Sequence, residues 1–300
     1  MKKILLMAIA AVMAMSAFAQ ETVKKVRVYK EGAVAYEEKY DAVDSIVFVD
    51  IEIPAVPEGA LAGKFSVSAT KQVHFSQGNL QYQASTSTWR FAANQYDMIG
   101  SDNSNISASY SGWIDLFGWG TGNNPTNSST DNNDYTTFTD WGTNMGEGWY
   151  TLSKDEWHYI FCTRTNAATL FGLGSVNGVN GTILLPDNWV TPADASFSPS
   201  TTQGLTYQGS YYYNSNGNNF SHNTYTAEQW SVMEAAGAVF LPAAGSRYGT
   251  GVDDVGSYGG YLSSTPDAAD TAYNVYFYSG SLDQQGYGYR CYGRSVRLVR

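Results

Sequence analysis

The alternation of apolar and polar residues predicts many short strands. Lys25–Tyr29 and Ser45–Val49 each alternate residue by residue, and turn residues around Gly32 lie between them, which is the pattern of half-buried strands. Apolar runs at Thr182–Pro186 and Ala238–Pro242 predict short buried strands. Four further strands are predicted, over residues 65–68, 73–75, 80–82 and 89–91. Segments this short and numerous favour small antiparallel sheets.

Only two segments carry the pattern of a helix. Ser153 and Glu156 stand three residues apart, as do Thr226 and Gln229, and each pair predicts a capping box that satisfies the free backbone amides at a helix start. Apolar residues follow each box at helical spacing, and Gly237 is placed to end the second helix. Two helices among many short strands predict an α+β fold.

The composition divides the chain into four parts. Residues 1–19 carry two lysines, an apolar run and a small-x-small site, which is the pattern of a secretory signal peptide. Residues 20–52 predict a small β unit, residues 53–62 a proline-containing linker, and residues 63–300 a domain rich in Asn, Gly, Ser and aromatic residues. We therefore expect export to the periplasm, cell surface or medium, without membrane insertion after the signal is removed.

The charge argues against nucleic-acid partners. The chain has 27 acidic and 17 basic residues and a formal net charge of −10. Cleavage after residue 19 would remove two of these lysines and make the net charge more negative. Phosphate groups require a basic surface, so we expect no nucleic-acid partner. Anionic membrane surfaces are disfavoured for the same reason.

Residues 246–292 have the most unusual composition of the chain. These 47 residues include nine Tyr, eight Gly, six Ser and five Asp, and no Lys. Tyr offers rigid, amphipathic contact area, and Ser and Gly offer adaptable hydrogen bonding, as in antibody binding loops. We interpret this stretch as a binding surface for a protein or a glycan on another cell, phage or host surface. The alternative is a glycine-rich surface loop without a ligand.

Several motifs resemble known families that share one fold. Three motifs resemble, in this order, the major paralogous (FISUMP) domain: Phe240–Arg247, Gly260–Thr265 and Gly293–Val299. A fourth, Thr151–Trp157, resembles the helix start of the formylglycine-generating-enzyme and sulfatase-modifying family. The resemblance covers roughly Ala62 to Arg300. It implies a C-type lectin-like fold with two helices, short antiparallel strands and long ordered loops. Leu262 departs from it, since the family has Trp there.

A narrower resemblance is to the variable proteins of diversity-generating retroelements, which carry variable residues at the C-terminal end of the same fold. In those systems adenine-directed mutagenesis turns Asn codons into codons for Tyr, Asp, Ser or Gly. Here 18 Asn lie between Asn94 and Asn223, and only Asn274 remains from Ser246 onward. The resemblance implies diversified, ligand-binding positions at Ser246, Tyr248, Asp253, Asp254, Tyr258, Asp267, Asp270, Tyr276, Tyr278, Ser281, Asp283, Tyr287, Tyr289 and Tyr292. The alternative is an ordinary FISUMP protein with a fixed Tyr-rich loop.

The sequence offers no catalytic constellation. Formylglycine-generating enzymes use two nearby cysteines close to the C-terminus, whereas this chain has Cys291 there and Cys162 far off in sequence. One disulfide or two unpaired thiols are equally compatible with this pair. The histidines, His74, His158 and His222, match no metal or triad motif. We therefore expect no enzymatic activity, with a sulfatase-modifying type of enzyme as a minor alternative.

No cofactor is expected. Asp131–Asp134 supplies oxygen ligands suited to Ca²⁺, but it lacks EF-hand spacing, and a solvated turn rich in Asn and Asp is the favoured interpretation.

Two further expectations concern structure and assembly. The family-like motifs make Arg247, Arg290, Arg294 and Arg297 framework residues that pair with buried carboxylates or carbonyls. A remaining alternative for the whole protein is a structural or adhesive surface component resembling a fimbrial tip, in which residues 20–52 would mediate assembly.

Overall fold

The computed structural model describes residues 25–30, 33–42, 56–217 and 219–300. The chain divides into two units, residues 1–54 and 55–300. The expected signal peptide, the predicted strand Ser45–Val49 and the first residues of the predicted linker lie outside the described residues.

The described part of the first unit is an antiparallel hairpin of β1 (Lys25–Lys30) and β2 (Ala33–Lys39). The alternation along the sequence predicts β1, whereas consecutive glutamates interrupt the pattern of β2. Lys25 and Arg27 both form ion pairs with Glu37 across the hairpin. Because these side chains are exposed, the pairs contribute little to stability.

The second unit contains two α-helices and 18 strands among the described residues, most of them short. In chain order these are β3 (Phe65–Ser66), β4 (Gln72–Val73), β5 (Leu80–Gln83), β6 (Thr88–Phe91), β7 (Trp113–Ile114), β8 (Tyr150–Thr151), α1 (Lys154–His158), β9 (Phe171–Val176), β10 (Val179–Leu184), β11 (Thr206–Tyr207), β12 (Tyr212–Tyr213), β13 (Thr224–Tyr225), α2 (Ala227–Ala235), β14 (Val239–Pro242), β15 (Ser246–Tyr248), β16 (Gly251–Asp253), β17 (Gly259–Pro266), β18 (Thr271–Tyr278), β19 (Ser281–Tyr289) and β20 (Leu298–Val299).

Two sheets organise this unit. One has the order β13–β9–β10–β14 and the other the order β11–β12–β19–β18–β17. The strands pair antiparallel, apart from β13 beside β9. Small antiparallel sheets with few helices make this an α+β fold, so that level of the prediction is confirmed.

The predicted strands differ from the observed ones mainly in length. The predictions at 80–82, 89–91, 182–186 and 238–242 correspond to β5, β6, β10 and β14. In place of the predicted strands 65–68 and 73–75, the structure has two strands of two residues each, β3 and β4, which pair with each other. Ala60 and Leu61, which the sequence assigns to the linker, pack into the second unit, since Ala60 bridges Ser76 and Leu61 is buried.

Both predicted capping boxes are confirmed. The Ser153 hydroxyl accepts a hydrogen bond from the Glu156 amide at 3.2 Å, and the Glu156 carboxylate accepts one from the Ser153 amide at 2.9 Å. Thr226 and Gln229 make the same reciprocal pair at the start of α2. One feature is not predicted: α1 continues into a single π-helical turn at Tyr159–Thr163.

The end of α2 follows the prediction at Gly237. Its φ of +100° lies in the region that favours glycine. The Gly237 amide donates to the Glu234 carbonyl at 2.8 Å, and the Ala238 amide donates to the Met233 carbonyl at 3.0 Å. This is a Schellman motif, which satisfies the last free carbonyls of the helix.

Aromatic side chains make the long loops part of the core. Phe138 lies 5.2 Å from Trp119 and 5.7 Å from Trp141 between ring centroids. All three belong to one cluster that also contains Leu262 and Val296. The Asn- and Ser-rich loops are therefore ordered by their own aromatic residues.

The segment Arg294–Arg300 closes the second unit. Leu298 and Val299 pair with β8. The Arg300 amide and carbonyl both bond to His74, at 2.9 and 2.8 Å, and those of Arg294 bond to Phe117, at 3.0 and 2.9 Å. This one segment thus joins parts of the chain that are far apart in sequence.

Candidate binding face

Residues 246–292 form regular strands rather than a loop. The hairpin of β15 and β16 comes first, and the three longest strands of the unit, β17, β18 and β19, follow. These three strands pair in sequence order and hold the tyrosines at fixed positions. The Tyr-rich stretch therefore has a defined geometry.

Several candidate residues share one face of the five-stranded sheet. Tyr213 is the register partner of Ser281, and Ser281 is the partner of Tyr278. In the next row Asp283 is the partner of Tyr276. Because side chains alternate between faces along a strand, both rows lie on the face opposite the buried Phe277 and Leu282. We call this surface the tyrosine face.

Three glycines, Gly260 on β17 and Gly286 and Gly288 on β19, form the floor of this face. A Cβ on Gly286 would lie 2.3 Å from the Tyr276 ring, and one on Gly260 would lie 2.8 Å from the Tyr258 ring. A Cβ on Gly288 would lie 2.3 Å from Nη2 of Arg294. The two rings and the guanidinium thus lie directly on the backbone, where any larger residue would displace them.

The rings of the tyrosine face contact one another in two groups. Tyr258 lies 6.1 Å from Tyr276 and 5.0 Å from Tyr278 between ring centroids. Tyr292 lies 5.1 Å from Tyr248 and 6.2 Å from Tyr289. Aromatic pairs at these separations stabilise each other beyond simple burial, so the face is held in place before a ligand arrives.

Arg294 joins the two groups of rings. Its guanidinium lies 6.0 Å from the Tyr292 ring centroid and close enough to the Tyr258 hydroxyl to oppose the rise in the pKa of that group. Only 9% of the residue is exposed, and its Nε is buried without a hydrogen-bond partner. It forms no ion pair with any residue that the structure describes. A cation is therefore fixed at the centre of the tyrosine face.

The hydroxyl groups of the face remain protonated at neutral pH. Burial first, and then the Asp283 carboxylate, raises the pKa of Tyr276 to about 12. Burial also raises the pKa of Asp283 above its usual value, although hydrogen bonds from Gln285 and Tyr276 act against it. Burial raises the pKa of Tyr258 despite the neighbouring Arg294. The face therefore offers hydroxyl donors beside a carboxylate acceptor.

Three candidate residues lie away from the tyrosine face. Tyr287 is the register partner of Tyr273 on the opposite face of the sheet, where the Lys154 ammonium lies 4.6 Å from the Tyr273 ring. Asp267 accepts a hydrogen bond from the Thr271 hydroxyl. The Asp270 carbonyl accepts one from the Arg290 amide. Both aspartates lie in the turn between β17 and β18.

The remaining candidates border the face. Asp253 is the register partner of Ser246 in the β15–β16 hairpin, and Asp254 lies close enough to Tyr258 to affect its pKa. Tyr258 itself is buried, with 6% exposed. It supports the other rings and offers a ligand little contact area of its own.

Sequence reasoning misses three members of the face. Tyr213 belongs to β12 and Tyr211 directly precedes that strand, outside the Tyr-rich stretch, and the two are 45% and 39% exposed. The Tyr-Tyr-Tyr run at 211–213 is the signal that could have identified them. Arg294 falls within a family-like motif and was therefore assigned to the framework.

Of the four arginines predicted as framework residues, the three besides Arg294 do hold the framework together, and they donate hydrogen bonds to backbone or side-chain carbonyl oxygens. Arg247 donates to the Gly249 carbonyl at 2.6 Å, and Arg290 donates to the Ala268 carbonyl at 2.8 Å. Arg297 is fully enclosed and donates to the Gln95 side-chain oxygen at 2.8 Å. Carbonyl and amide oxygens, rather than carboxylates, thus accept the hydrogen bonds of these buried guanidinium groups, although Nε of Arg297 has no hydrogen-bond partner among the described residues.

The cysteines are both free. Burial raises the thiol pKa of Cys162 and of Cys291. Tyr212 and Tyr207 lie beside the Cys162 thiol and oppose the rise in its pKa, whereas the backbone of Cys291 donates to Asn132 at 3.0 Å. The two thiols therefore lie in different environments and are less readily ionised than usual.

The loop that was considered for Ca²⁺ forms a short 3-10 helix at Asn132–Tyr135. The Asp131 carboxylate accepts a hydrogen bond from the Asn133 amide at 2.9 Å and so caps this helix. In the part of the chain that the structure describes, no group of three acidic, His or Cys side chains is arranged to hold a metal ion.

Comparison with known protein families, curated proteins and solved structures finds no match. Within the described ranges, no helix is long and apolar enough to cross a bilayer.

Proposed function

We propose that this is an exported, non-enzymatic binding protein with a C-type lectin-like fold, which contacts its ligand through the tyrosine face. The α+β architecture, the two capped helices and the closing segment Arg294–Arg300 are compatible with that fold. The sequence motifs support it independently. The signal-peptide pattern of residues 1–19 supports export.

The continuity of the tyrosine face carries the binding proposal. The rings of Tyr258, Tyr276 and Tyr278 contact one another. Tyr292 contacts Tyr248 and Tyr289, and Arg294 lies between the two groups. Exposed aromatic rings with free hydroxyl groups are frequent in binding sites, because they offer large contact area at low entropic cost. The raised pKa values of both thiols support binding over thiol-based catalysis.

We further propose that the face is diversified in the manner of retroelement variable proteins. The candidate positions are exposed or half-buried with the exception of Tyr258. The intervening residues Tyr261, Val275 and Phe277 are fully buried. Substitution at the candidate positions would therefore change the surface while the core stays intact. Sequencing the encoding locus tests this: a near-identical template repeat beside a reverse transcriptase is expected, and the absence of both would refute diversification.

A pair of tyrosines provides the test of binding. The protein without its signal peptide would be screened against a printed glycan array and a displayed library of protein fragments. Replacing Tyr276 and Tyr278 together by Ala should weaken binding of any ligand found by at least tenfold, because these rings contact Tyr258 and cover the sheet.

Tyr287→Ala is the matched control for this pair. Tyr287 is 65% exposed and belongs to the same strands, but it lies on the opposite face. Its loss should leave the affinity unchanged. Equal weakening by both changes, in proteins with unaltered unfolding temperatures, would argue against the tyrosine face as the binding site.

A further inference from the structure

A polar cleft lies beside the tyrosine face, outside the Tyr-rich stretch. It is open, has a volume of about 740 Å³ and lies between the loop at 202–208 and the residues 213–216. Its size is within the range of small-ligand sites. Tyr213 lines the cleft and also belongs to the tyrosine face, so the two surfaces are continuous.

The lining of the cleft restricts the chemistry of a ligand. Eleven described residues line it, and none of them is Asp, Glu, Lys or Arg. None is aliphatic either, since the side chains are those of Thr, Ser, Asn, Gln, His and Tyr beside one Gly. A charged ligand would find no ionic partner there, and a lipid would find no apolar wall. A ligand rich in hydroxyl groups matches this lining.

The walls of the cleft are held by hydrogen bonds from beneath. The buried Gln203 side chain accepts from the Leu173 amide at 2.9 Å and donates to the Leu173 carbonyl at 2.7 Å. Asn214 donates to the Gln203 carbonyl at 2.7 Å and thereby ties the opposite wall to the first. A site whose walls are fixed in advance loses less entropy when a ligand binds.

Other polar groups of the cleft remain available to a ligand. The hydroxyl groups of Thr202, Tyr213 and Ser215 form no hydrogen bond with any described residue, and the same holds for the side chain of Asn216. All four residues are exposed. They combine donors and acceptors with one aromatic ring, which is the combination that binds a sugar by stacking and by hydroxyl hydrogen bonds.

We infer that this cleft binds a neutral oligosaccharide, with a sugar ring against Tyr213 and its hydroxyl groups bonded to the amides and hydroxyls of the walls. The site is additional to the tyrosine face and would remain the same when residues 246–292 vary. It stands even if the proposed function of the tyrosine face fails, because none of its lining residues belongs to that stretch.

The test uses the protein without its signal peptide and a printed array of neutral glucose, mannose, galactose and xylose oligomers, together with matched oligomers that carry carboxylates or sulfates. Calorimetry follows on each oligomer retained. At least one neutral oligomer should bind, and Tyr213→Ala and Asn216→Ala should each weaken it at least tenfold. Because both side chains are exposed, these variants should unfold at the wild-type temperature.

Two further variants separate the cleft from the tyrosine face. Tyr292→Ala alters the far end of that face and should leave binding of the neutral oligomer unchanged, as should Tyr287→Ala on the opposite side of the sheet. The inference is overturned if no neutral oligomer binds, if only charged oligomers bind, or if folded Tyr213→Ala binds as tightly as the wild type.

Discussion

Replacing Gly288 by alanine separates the stability of the domain from the geometry of its tyrosine face. The new Cβ would lie 2.3 Å from Nη2, 2.8 Å from Nη1 and 3.0 Å from Cζ of Arg294. Favourable contact begins at about 3.5 Å, so the guanidinium must withdraw by roughly 1 Å. The backbone of Arg294 is fixed by its two hydrogen bonds to Phe117. The side chain must therefore move, away from Tyr258 and Tyr292.

The effects of Gly288→Ala on the free energy of unfolding partly cancel. A side chain forced from its preferred rotamer costs about 0.5–1.5 kcal/mol. The cation–π contact with Tyr292, at 6.0 Å the outer limit of this interaction, contributes about 0.5–1 kcal/mol. Replacing Gly by Ala within a strand restores about 0.5–1 kcal/mol by restricting the unfolded chain. The free energy of unfolding should therefore fall by no more than about 1–2 kcal/mol, whereas the surface around Arg294 changes.

Three measurements on Gly288→Ala check this reasoning. Urea denaturation gives the free energy of unfolding, near-ultraviolet circular dichroism reports the packing of the tyrosines, and calorimetry gives the affinity for a ligand found by the screen. We expect a nearly unchanged stability, an altered tyrosine signal and at least a tenfold loss of affinity.

Gly251→Ala is the control for Gly288→Ala. A Cβ at Gly251 meets only the Tyr248 carbonyl, at 3.4 Å, so the tyrosine signal and the affinity should match the wild type. The free energy of unfolding should rise by about 0.5–1 kcal/mol, because alanine restricts the unfolded chain here as well. If Gly288→Ala leaves the tyrosine signal and the affinity unchanged, Arg294 does not organise the face. If Gly288→Ala unfolds the domain, the Arg294 guanidinium cannot move aside, and the expected loss of about 1–2 kcal/mol in the free energy of unfolding is too small.

Two further predictions concern the core. Tyr261→Phe removes a buried hydroxyl that donates to the Pro242 carbonyl at 2.9 Å and accepts from Asn79 at 3.2 Å; urea denaturation should show a loss of about 1–2 kcal/mol, and an unchanged midpoint would contradict this. Burial raises the pKa of Asp115 from 3.8 to about 6, so its stabilising contribution is present below about pH 4 and lost as the pH rises through 6, by up to about 3 kcal/mol. The stability deficit of Asp115→Asn relative to the wild type should therefore shrink between pH 4 and pH 7, and a pH-independent deficit would count against the raised pKa.

Local signals in the sequence identify the elements whose structure depends on near neighbours. The capping boxes at Ser153 and Thr226 and the glycine at 237 act within one helical turn, so their residue types are enough to place both helix boundaries. The short apolar strands β10 and β14 are predicted for the same reason. The α+β class follows from counting such elements.

The tyrosine face depends on long-range pairing, which the sequence does not reveal. Alternation is weak in β18, where Asn274 and Val275 are both buried, because a register shift on β19 interrupts the sheet there. Composition alone therefore identifies the Tyr-rich stretch without separating Tyr276 from Tyr287. Tyr213 joins the face only because β12 pairs with β19.

The position of Arg294 could not be predicted for a related reason. Its motif indicates a framework residue, and its backbone is indeed part of the framework, bonded to Phe117. Its side chain reaches the tyrosine face because Gly260 and Gly288, on different strands, leave room for it. That space is created by tertiary structure and has no signature in the sequence around Arg294.

The closing segment Arg294–Arg300 has a consequence for biosynthesis. It follows residues 246–292 in the chain, and it supplies the backbone partners of His74, Phe117 and β8. Translation must therefore pass through the whole Tyr-rich stretch before the core can be completed. A message with a premature stop codon in that stretch yields a chain without its closing segment, which stays open to proteases. Only polypeptides whose reading frame is intact across residues 246–292 can therefore complete the core, so folding itself selects against truncation within the Tyr-rich stretch.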